Sequence, residues 1–314
     1  MKNRILLTGA SGFIGGTLAP YLMARGATIR SVVRKPLSLP GSEMALVPVI
    51  ANQTVWGSHL RGIDTVIHCA GRAHVMNDFI ADPLPEYRRI NVGGTLNLAR
   101  QAVAAGVKRF IFLSSVKVNG EQTLKGQPFT EEHFPMPQNP YALSKFEAEQ
   151  ELFKLAAQTS LEVVVIRPTL VYGPGVKANF FTMLRMVRLR MPLPFGSIEN
   201  KRSFTYIENL HSLIHRCIEH PNAVNQLFFS SDGQDLSTTE LLRYCATAMG
   251  VGVYLVPIPE SWCLYSAALL GQGDAIRRLC GSLQVDISKA KKLLDWEPPF
   301  SVQTGLQKTV QHFI

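Results

Sequence analysis

The sequence predicts an α/β protein in which a doubly wound parallel sheet precedes a smaller, mainly helical C-terminal domain. Short β-branched runs alternate with helical patterns through the first half, as they do in parallel βαβ units. A glycine-rich turn joins the first run to the first helical pattern. After Gly173 the alternation gives way to Pro- and Gly-rich turns and more helical segments. The length of 314 residues favours about two domains.

Six apolar runs are the predicted strands of the first half. They are RILLTG (4–9), TIRSVVR (28–34), MALVPVI (44–50), TVIHCAG (65–71), RFIFLSS (109–115) and EVVVIRP (162–168). Helices are predicted between them from near Gly12, over about 91–105 and over about 140–159. Open α/β sheets bind ligands beyond the carboxyl ends of their strands. The residues that follow each run are therefore the first candidates for a functional site.

The second half is predicted to contain one further strand and several helices. The run NQLFFSS is typical of a strand that returns to the sheet. The segment LSTTELLRYCATAMG predicts a helix with Ser237 and Glu240 as a capping box and Gly250 as its C-terminal stop. We therefore predict a first domain over 1–172, joined again by about 203–230, and a second domain over 173–202 and 231–314.

The composition predicts a surface that attracts anions, since the formal net charge is +9 and the pI is about 9.4. The basic residues are scattered and carry no zinc-finger, basic-zipper or RNP signature, so nucleic acid is not an expected partner. The five cysteines are odd in number and contain no C-x-x-C pair. This pattern favours free thiols in a reducing cytoplasm, and no metal site is predicted.

One stretch, from Ile5 to Ala24, carries no charged residue and is long enough to span a membrane. However, it is rich in Gly, Thr and Ser and contains Pro20, and TGASG interrupts its apolar part before a signal peptide develops. We predict neither a membrane span nor a signal peptide here, and no membrane partner.

The turn TGASGFIGG places three glycines between the first strand and its helix. In a Rossmann-type sheet the first makes the tight turn, the second lets the backbone approach a pyrophosphate, and the third lets helix and strand pack closely. A glycine triplet alone also fits an ordinary flexible turn. Its position between a strand and a helix favours a nicotinamide dinucleotide, bound by Gly9, Ser11, Gly12, Phe13, Ile14 and Gly15.

The residues after the second strand favour NADP(H), with NAD(H) as the alternative. Sites for NAD usually offer an Asp or Glu about 20 residues past the glycine turn, but no acidic residue occurs before Glu43. The second strand ends in VVRKP, where Arg34 beside Lys35 could hold the extra phosphate of NADP. The alternative is that both are solvated loop cations.

Tyr141 and Lys145, in YALSK, begin a predicted helix, and their spacing puts both side chains on one face. A free tyrosine has a pKa of about 10 and is a poor base near neutrality. A positive charge from Lys145 and from oxidised nicotinamide favours the phenolate. The pair alone occurs by chance on many helices. Ser115, at the end of the fifth strand, makes the combination specific.

The sequence resembles the extended short-chain dehydrogenase/reductase family, the group that contains UDP-galactose 4-epimerase and the nucleotide-sugar 4,6-dehydratases. Motifs in the family's order run over nearly the whole chain: TGASGFIG, DTVIHCAG, NVGGTLNL, LSSVKVNG, YALSK, RPTLVYGPG and RSFTYIENL. The resemblance implies a nucleotide-sugar-binding second domain. It implies an active site of Ser115 as hydrogen-bonding hydroxyl, Tyr141 as acid/base, Lys145 as the tyrosine-tuning and ribose-binding group, and Asn91 as a positioning residue.

The same resemblance implies cofactor contacts beyond the glycine turn. The nicotinamide would lie against Pro168 and Val171, and the dinucleotide would run along Ala70 and Gly71. Asn52 stands near the family's adenine-contacting aspartate, which is a departure.

The catalytic turn departs from that of the family's dehydratases. They carry an Asp-Glu pair directly after the serine or threonine to eliminate water, whereas this chain has Val116 and Lys117. Elimination is therefore not predicted, while hydride transfer at the sugar C4 needs only the nicotinamide, Tyr141 and Ser115. Lys117 points at the substrate or, as an equal alternative, is a solvated loop lysine.

On the substrate side, the resemblance implies that Arg202 holds the pyrophosphate of a UDP-sugar, that Asn179 also contacts the diphosphate, and that Phe195 lies in the loop around the uracil. The alternatives are a surface Arg202 and a core Phe195. The family's second arginine, before a late aspartate, is missing here. The aspartate, Asp286, is retained, and Arg277 or Arg278 could substitute for the arginine.

The motifs are most similar to a branch found in bacterial surface-polysaccharide clusters. We favour a reductase that transfers hydride from NADPH to C4 of a UDP-linked 4-keto-6-deoxy, 2-acetamido hexose, because VVRKP suits NADP. The alternative is a UDP-hexose 4-epimerase, for UDP-glucose or UDP-GlcNAc, with retained NAD. A remote alternative is a non-catalytic cofactor-binding regulator, against which the intact Ser115, Tyr141 and Lys145 argue. Homodimers are frequent in the family, but the sequence carries no independent signal for one.

Overall fold

The structure is a computed structural model that describes residues 3–37, 39–73, 82–269 and 273–313. Its strands are β1 (Arg4–Thr8), β2 (Thr28–Val33), β3 (Glu43–Leu46), β4 (Thr65–His68), β5 (Arg109–Leu113), β6 (Glu162–Pro168), β7 (Leu170–Tyr172), β8 (Arg202–Tyr206), β9 (Gln226–Ser230) and β10 (Asp235–Leu236). Its helices are α1 (Phe13–Met23), α2 (Gly57–Leu60), α3 (Leu84–Tyr87), α4 (Thr95–Ala104), α5 (Pro140–Gln158), α6 (Ala178–Arg188), α7 (Ile207–Glu219), α8 (Thr238–Met249), α9 (Glu260–Leu269), α10 (Gly273–Cys280), α11 (Ser288–Leu294) and α12 (Val302–Gln311). A π-helical segment, Arg88–Gly94, joins α3 to α4.

Seven strands of the described residues form one parallel sheet in the order β3-β2-β1-β4-β5-β6-β9. Helices cover both faces, and two hydrophobic clusters pack there. Every residue of β5 is buried, as expected for a strand enclosed on both faces. This confirms the predicted doubly wound, Rossmann-type fold.

The predicted strand over 44–50 is shorter than expected, because β3 ends at Leu46. The amide of Val47 still donates to the Val33 carbonyl oxygen, but Pro48 has no amide hydrogen to extend the ladder. The chain then leaves the sheet, and the Val49 side chain is exposed.

A second, smaller sheet has the order β10-β8-β7, with β7 parallel to β8 and β10 antiparallel to it. A third hydrophobic cluster packs around it, with side chains from α6, α8 and α12. Of the segment predicted to return to the large sheet, β9 pairs with β6, whereas β8 belongs to the small sheet. The two domain boundaries stay a prediction.

Two local predictions are confirmed. Ser237 Oγ accepts the Glu240 amide, Glu240 Oε2 accepts the Ser237 amide, and Gly250 ends α8 with φ of 65°. The uncharged stretch from Ile5 to Ala24 is β1, the turn and α1. Among the described residues no helix is long and apolar enough to cross a membrane.

Candidate active site

The glycine turn has the geometry that a dinucleotide site needs. Gly9 has φ of 72°, and a Cβ atom on it would lie 2.8 Å from the amide nitrogen of Ala70. A Cβ atom on Gly15 would lie 2.3 Å from the Gly9 carbonyl oxygen. Gly12 is exposed at the N-terminus of α1, whose first amides are free to meet an anion. The turn therefore fits a pyrophosphate. A side chain at Gly9 or Gly15 would clash with the backbone atoms that shape the turn.

The other predicted residues of the turn surround this point. Ser11 is exposed beside Gly12, and the side chains of Phe13 and Ile14 are half-buried. Ile14 packs against the cluster that contains β1, and Phe13 packs against the cluster of the C-terminal half. The start of α1 therefore contacts both halves of the protein.

His68, which the sequence patterns do not single out, forms hydrogen bonds beside the glycine turn. His68 Nδ1 lies 2.7 Å from Thr8 Oγ1 and its Nε2 lies 3.0 Å from Thr95 Oγ1. Thr8 Oγ1 also accepts the Ala70 amide at 3.2 Å. Burial, together with the charge of Lys145, lowers the pKa of His68 to about 3. The imidazole is therefore neutral at pH 7 and holds β1, β4 and α4 together.

Among the described residues, the end of β2 offers cations and no free carboxylate. Arg34 and Lys35 are exposed directly after the strand. Glu43 lies opposite Arg30 in the β2–β3 register, toward the other end of these strands, and pairs with Arg30 at 2.8 Å. Glu43 is therefore not placed to hold an adenosine ribose. Asn52 packs against Gly93, where an added Cβ atom would lie 1.7 Å from Asn52 Oδ1.

Ser115 and Tyr141 are brought into contact. Ser115 caps a short 3₁₀ turn, Val116–Val118, where its Oγ accepts the Lys117 amide at 3.3 Å. Tyr141 lies in the first turn of α5, which Asn139 caps by accepting the Ala142 amide at 2.9 Å. The Ser115 hydroxyl is hydrogen-bonded to the Tyr141 phenol. Residues 26 positions apart in sequence thus meet at the carboxyl edge of the sheet.

Burial affects the pKa values of both Tyr141 and Lys145. Burial raises the pKa of the Tyr141 phenol to about 12, while its hydrogen bond with Ser115 acts in the opposite direction. Burial lowers the pKa of Lys145 to about 8. The Lys145 ammonium donates to the Leu113 carbonyl oxygen at 2.8 Å and lies 4.4 Å from the centre of the Phe112 ring. In the protein without its cofactor, burial therefore favours the neutral phenol, and the expected activation of Tyr141 by Lys145 together with oxidised nicotinamide stays a prediction.

Asn91 lies in the π-helical segment and is 2% exposed. Its Oδ1 accepts the Arg72 amide at 2.7 Å, and its Nδ2 donates to Ser144 Oγ at 2.9 Å. A Cβ atom on Gly71 would lie 3.1 Å from Asn91 Oδ1 and 3.3 Å from Lys145 Nζ. Asn91 thus ties the loop after β4 to α5, next to Lys145. This is a positioning contact, in a π-helical segment of the kind often found at functional sites.

A buried network that the sequence motifs do not reveal lies beneath these residues. The Glu149 carboxylate accepts hydrogen bonds from Ser114 Oγ and from two nitrogens of Arg167, one of them at 3.0 Å. Arg167 Nη1 donates to Asn119 Oδ1 at 2.8 Å. The network joins β5, the 3₁₀ turn, α5 and β6. Glu149 follows Lys145 by four residues on the buried face of α5, which is the one signal of it in the sequence.

Pro168 and Val171 lie where the two sheets meet. Pro168 ends β6 opposite Ser230 in β9, directly after Arg167. Val171 lies in β7 opposite Thr205 in β8 and is half-buried. The expectation that they contact a nicotinamide stays a prediction.

The predicted substrate residues differ in how far their side chains are exposed. Arg202 is half-buried at the start of β8, and Asn179 is exposed in the first turn of α6. The Phe195 side chain is 6% exposed and belongs to the hydrophobic cluster of the C-terminal half, as in the core alternative, and its expected contact with uracil stays a prediction. Asp286 Oδ1 accepts the Ser288 amide at 2.6 Å, at the start of α11. This hydrogen bond engages the first amide of α11.

The fold and this site together define a class of protein: a nicotinamide-dependent enzyme in which a serine and a tyrosine meet beside a lysine at the edge of a Rossmann-type sheet. A family model described as the NAD dependent epimerase/dehydratase family matches residues 5–228. The chain belongs to that family, which confirms the resemblance found in the sequence.

Individual relatives agree with the assignment. The chain is 48% identical over 317 residues to a UDP-glucose 4-epimerase of Vibrio cholerae, and the match covers 100% of this chain and 96% of the relative. Among solved structures, a UDP-glucuronic acid 4-epimerase from Bacillus cereus in complex with NAD has a TM-score of 0.79 at 21% identity, covering 99% and 98% of the two chains. RMD from Pseudomonas aeruginosa complexed with NADPH has a TM-score of 0.73 at 24% identity, covering 99% of each. The protein is an NAD(P)-dependent enzyme of the nucleotide-sugar epimerase and reductase kind.

Proposed function

We propose that the protein is a UDP-hexose 4-epimerase that keeps its NAD bound through each turnover. The contact of Ser115 with Tyr141, beside Lys145 and next to the glycine turn, is the observation that supports catalysis at a sugar hydroxyl. The 48% identity to a UDP-glucose 4-epimerase over the whole chain favours epimerisation over the reduction that VVRKP favours. In this proposal residues 173–202 and 231–314 bind the nucleotide-sugar.

The residues of this chain supply the proton transfers and the orientation. A nicotinamide dinucleotide held by the glycine turn and Lys145 would supply the hydride acceptor and donor for the sugar C4. Tyr141 accepts the proton of the C4 hydroxyl and later gives it back, and its phenolate form is favoured by the positive charge of the oxidised ring. Ser115 donates a hydrogen bond to the C4 oxygen. Lys145, whose ammonium lies beside Gly71, binds the cofactor ribose.

A second candidate is a reductase of a 4-keto nucleotide-sugar that uses NADPH. The exposed Arg34 and Lys35 after β2, together with the engagement of Glu43 by Arg30, favour this coenzyme. The two candidates share every catalytic residue and differ in whether the coenzyme is consumed.

The deciding experiment gives purified protein UDP-glucose, UDP-GlcNAc and a UDP-4-keto-6-deoxy sugar, with and without added NADPH. We expect interconversion of the C4 epimers without added coenzyme and a nicotinamide released on denaturation. Stoichiometric loss of NADPH absorbance with the keto sugar alone would instead establish the reductase.

Tyr141→Phe tests the catalytic assignment. The variant keeps the ring but loses the proton, so we expect kcat to fall by about 100-fold or more with cofactor retention unchanged. Turnover at the wild-type rate would exclude Tyr141 as the acid/base. Lys154→Met, on the exposed face of the same helix, is the matched control and should keep full activity.

A further inference from the structure

Three cations, Lys117, Arg202 and Arg278, lie where the 3₁₀ turn after Ser115 meets the C-terminal half. The inference that they bind a nucleotide-sugar rests on the proposed function. Arg202 Nη1 donates to the Arg278 carbonyl oxygen at 2.6 Å and to the Gly281 carbonyl oxygen at 2.8 Å. These bonds fix the Arg202 guanidinium against the last turn of α10, which carries Arg278. The remaining nitrogens of Arg202 keep their capacity to donate.

The segment that follows Lys117 is hydrogen-bonded to the C-terminal end of α10 and the residues directly after it. The Thr123 amide donates to the Ser282 carbonyl oxygen at 2.8 Å, and Gln122 Nε2 donates to the Arg277 carbonyl oxygen at 3.4 Å. These hydrogen bonds hold the segment after the 3₁₀ turn of Lys117 against the end of α10. Lys117 itself is half-buried, which argues against the solvated loop lysine that the sequence left open.

The electrostatic interactions show that the three groups are neighbours. Burial lowers the pKa of Lys117, and the charges of Arg278 and Arg202 lower it further, while Glu121 acts in the opposite direction. Burial and the charge of Arg278 lower the pKa of Arg202 to about 10. Within the part of the chain that the structure describes, none of the three cations forms an ion pair. Glu121 is the acid near them, and its Oε1 accepts a hydrogen bond from Asn139 Nδ2 at 2.7 Å.

A cluster of cations without paired carboxylates is unfavourable by itself and becomes favourable when it binds an anion of matching charge. Arg278 lies in the last turn of α10 and Lys117 lies two residues from Ser115.

We propose that Lys117 and Arg278 complete, with Arg202, the clamp for the two phosphates of the nucleotide-sugar, with Lys117 on the phosphate joined to the sugar. Because the Lys117 amide donates to Ser115 Oγ, the residue that binds this phosphate also orients the catalytic hydroxyl. Binding of the diphosphate thereby fixes Ser115 for reaction at C4. Lys117 is a binding and positioning residue of this site.

The test compares the affinities of UDP and UMP for the purified holoenzyme by calorimetry, in wild-type protein and in Lys117→Met. Loss of one charge-assisted contact should weaken UDP binding by about 10-fold and leave UMP binding nearly unchanged. Lys125→Met is the matched control, since Lys125 is exposed in the same loop and lies 3.9 Å from Glu199. Arg278→Met should likewise weaken UDP binding more than UMP binding. Circular dichroism and bound nicotinamide content verify that each variant is folded.

A Lys117→Met protein that is folded and keeps the wild-type ratio of UDP to UMP affinity would overturn the proposal. Equal loss for UDP and UMP would also overturn it, because it would place Lys117 away from the second phosphate. With active protein, the coupling to Ser115 further predicts that Lys117→Met lowers kcat as well as raising KM, whereas a rise in KM alone would remove the coupling. The affinities for UDP and UMP are read from binding, so they test the clamp separately from the proposed function, which fails if no UDP-sugar is epimerised.

Discussion

At the scale of single residues, the candidate site depends on glycines that allow close packing of the backbone and on ionisable side chains that are buried away from water. The glycines at 9 and 15 leave room for the β4 end and for the first turn of α1. Burial raises the pKa of the Tyr141 phenol to about 12, which favours its neutral form further. Lys145 instead donates to the Leu113 carbonyl oxygen in β5, which fixes it beside Gly71.

Gly15→Ala tests the close approach in the glycine turn. The new methyl group would lie 2.3 Å from the Gly9 carbonyl oxygen, a main-chain atom that cannot move aside without distorting the turn. We expect a loss of about 1–3 kcal/mol in the free energy of unfolding and loss of the retained nicotinamide. Gly57→Ala is the control, because a Cβ atom there meets nothing within 4 Å. Unfolding in urea and the absorbance of released cofactor measure both effects, and wild-type values for Gly15→Ala would contradict the packing argument.

At the scale of elements, the active site is assembled by a buried ion pair. Glu149 in α5 joins Arg167 in β6 to Ser114, which directly follows β5, and Arg167 donates a hydrogen bond to Asn119 after the 3₁₀ turn. The candidate site residues lie beside these contacts: Tyr141 and Lys145 are in α5, Pro168 is in β6, and Ser115 directly follows Ser114. Both charged side chains are 3% exposed, so each depends on the other for its hydrogen bonds.

Glu149→Gln should therefore destabilise the protein strongly. The substitution keeps the shape of the side chain but leaves the Arg167 guanidinium buried without its counter-charge, so we expect a loss of about 3–5 kcal/mol in the free energy of unfolding. Glu151→Gln, which breaks the exposed pair with Lys154 on the same helix, should cost at most about 1 kcal/mol. Urea denaturation measures both. Equal small losses would mean that the buried pair does not hold the elements together.

At the scale of the whole molecule, the net charge of +9 and the buried ionisable groups decide how stability depends on pH. The buried His68 and His211 have pKa values lowered to about 3 and about 4, mainly by burial. The buried carboxyl of Asp232 has a pKa raised to about 6, again mainly by burial, and acts in the opposite sense. Between pH 6.5 and 3 the unfolded chain binds a proton at His68 that the folded protein excludes. That contribution to stability is present above pH 6.5 and is lost as the pH falls toward 3.

His68→Gln isolates this contribution. Glutamine can still hydrogen-bond to the threonines on either side, but it does not titrate. Relative to wild type, we expect the variant to lose less stability on going from about pH 7 to about pH 4, with a full effect on the order of 4 kcal/mol. Thermal and urea unfolding across this pH range give the two slopes. Parallel slopes would show that His68 does not titrate upon unfolding.

The sequence by itself determined the features that depend on neighbouring residues. Strand runs, the glycine turn, the capping box of α8 and the one-face spacing of Tyr141 and Lys145 follow from local periodicity and backbone freedom. Tertiary structure alone decided which distant groups meet. Lys117, Arg202 and Arg278 converge from three separate elements, Glu43 is taken by Arg30, and the Phe195 ring is buried in the core. Burial and the proximity of charges are properties of the packed chain, so pKa values and ion pairs could not be read from residue order.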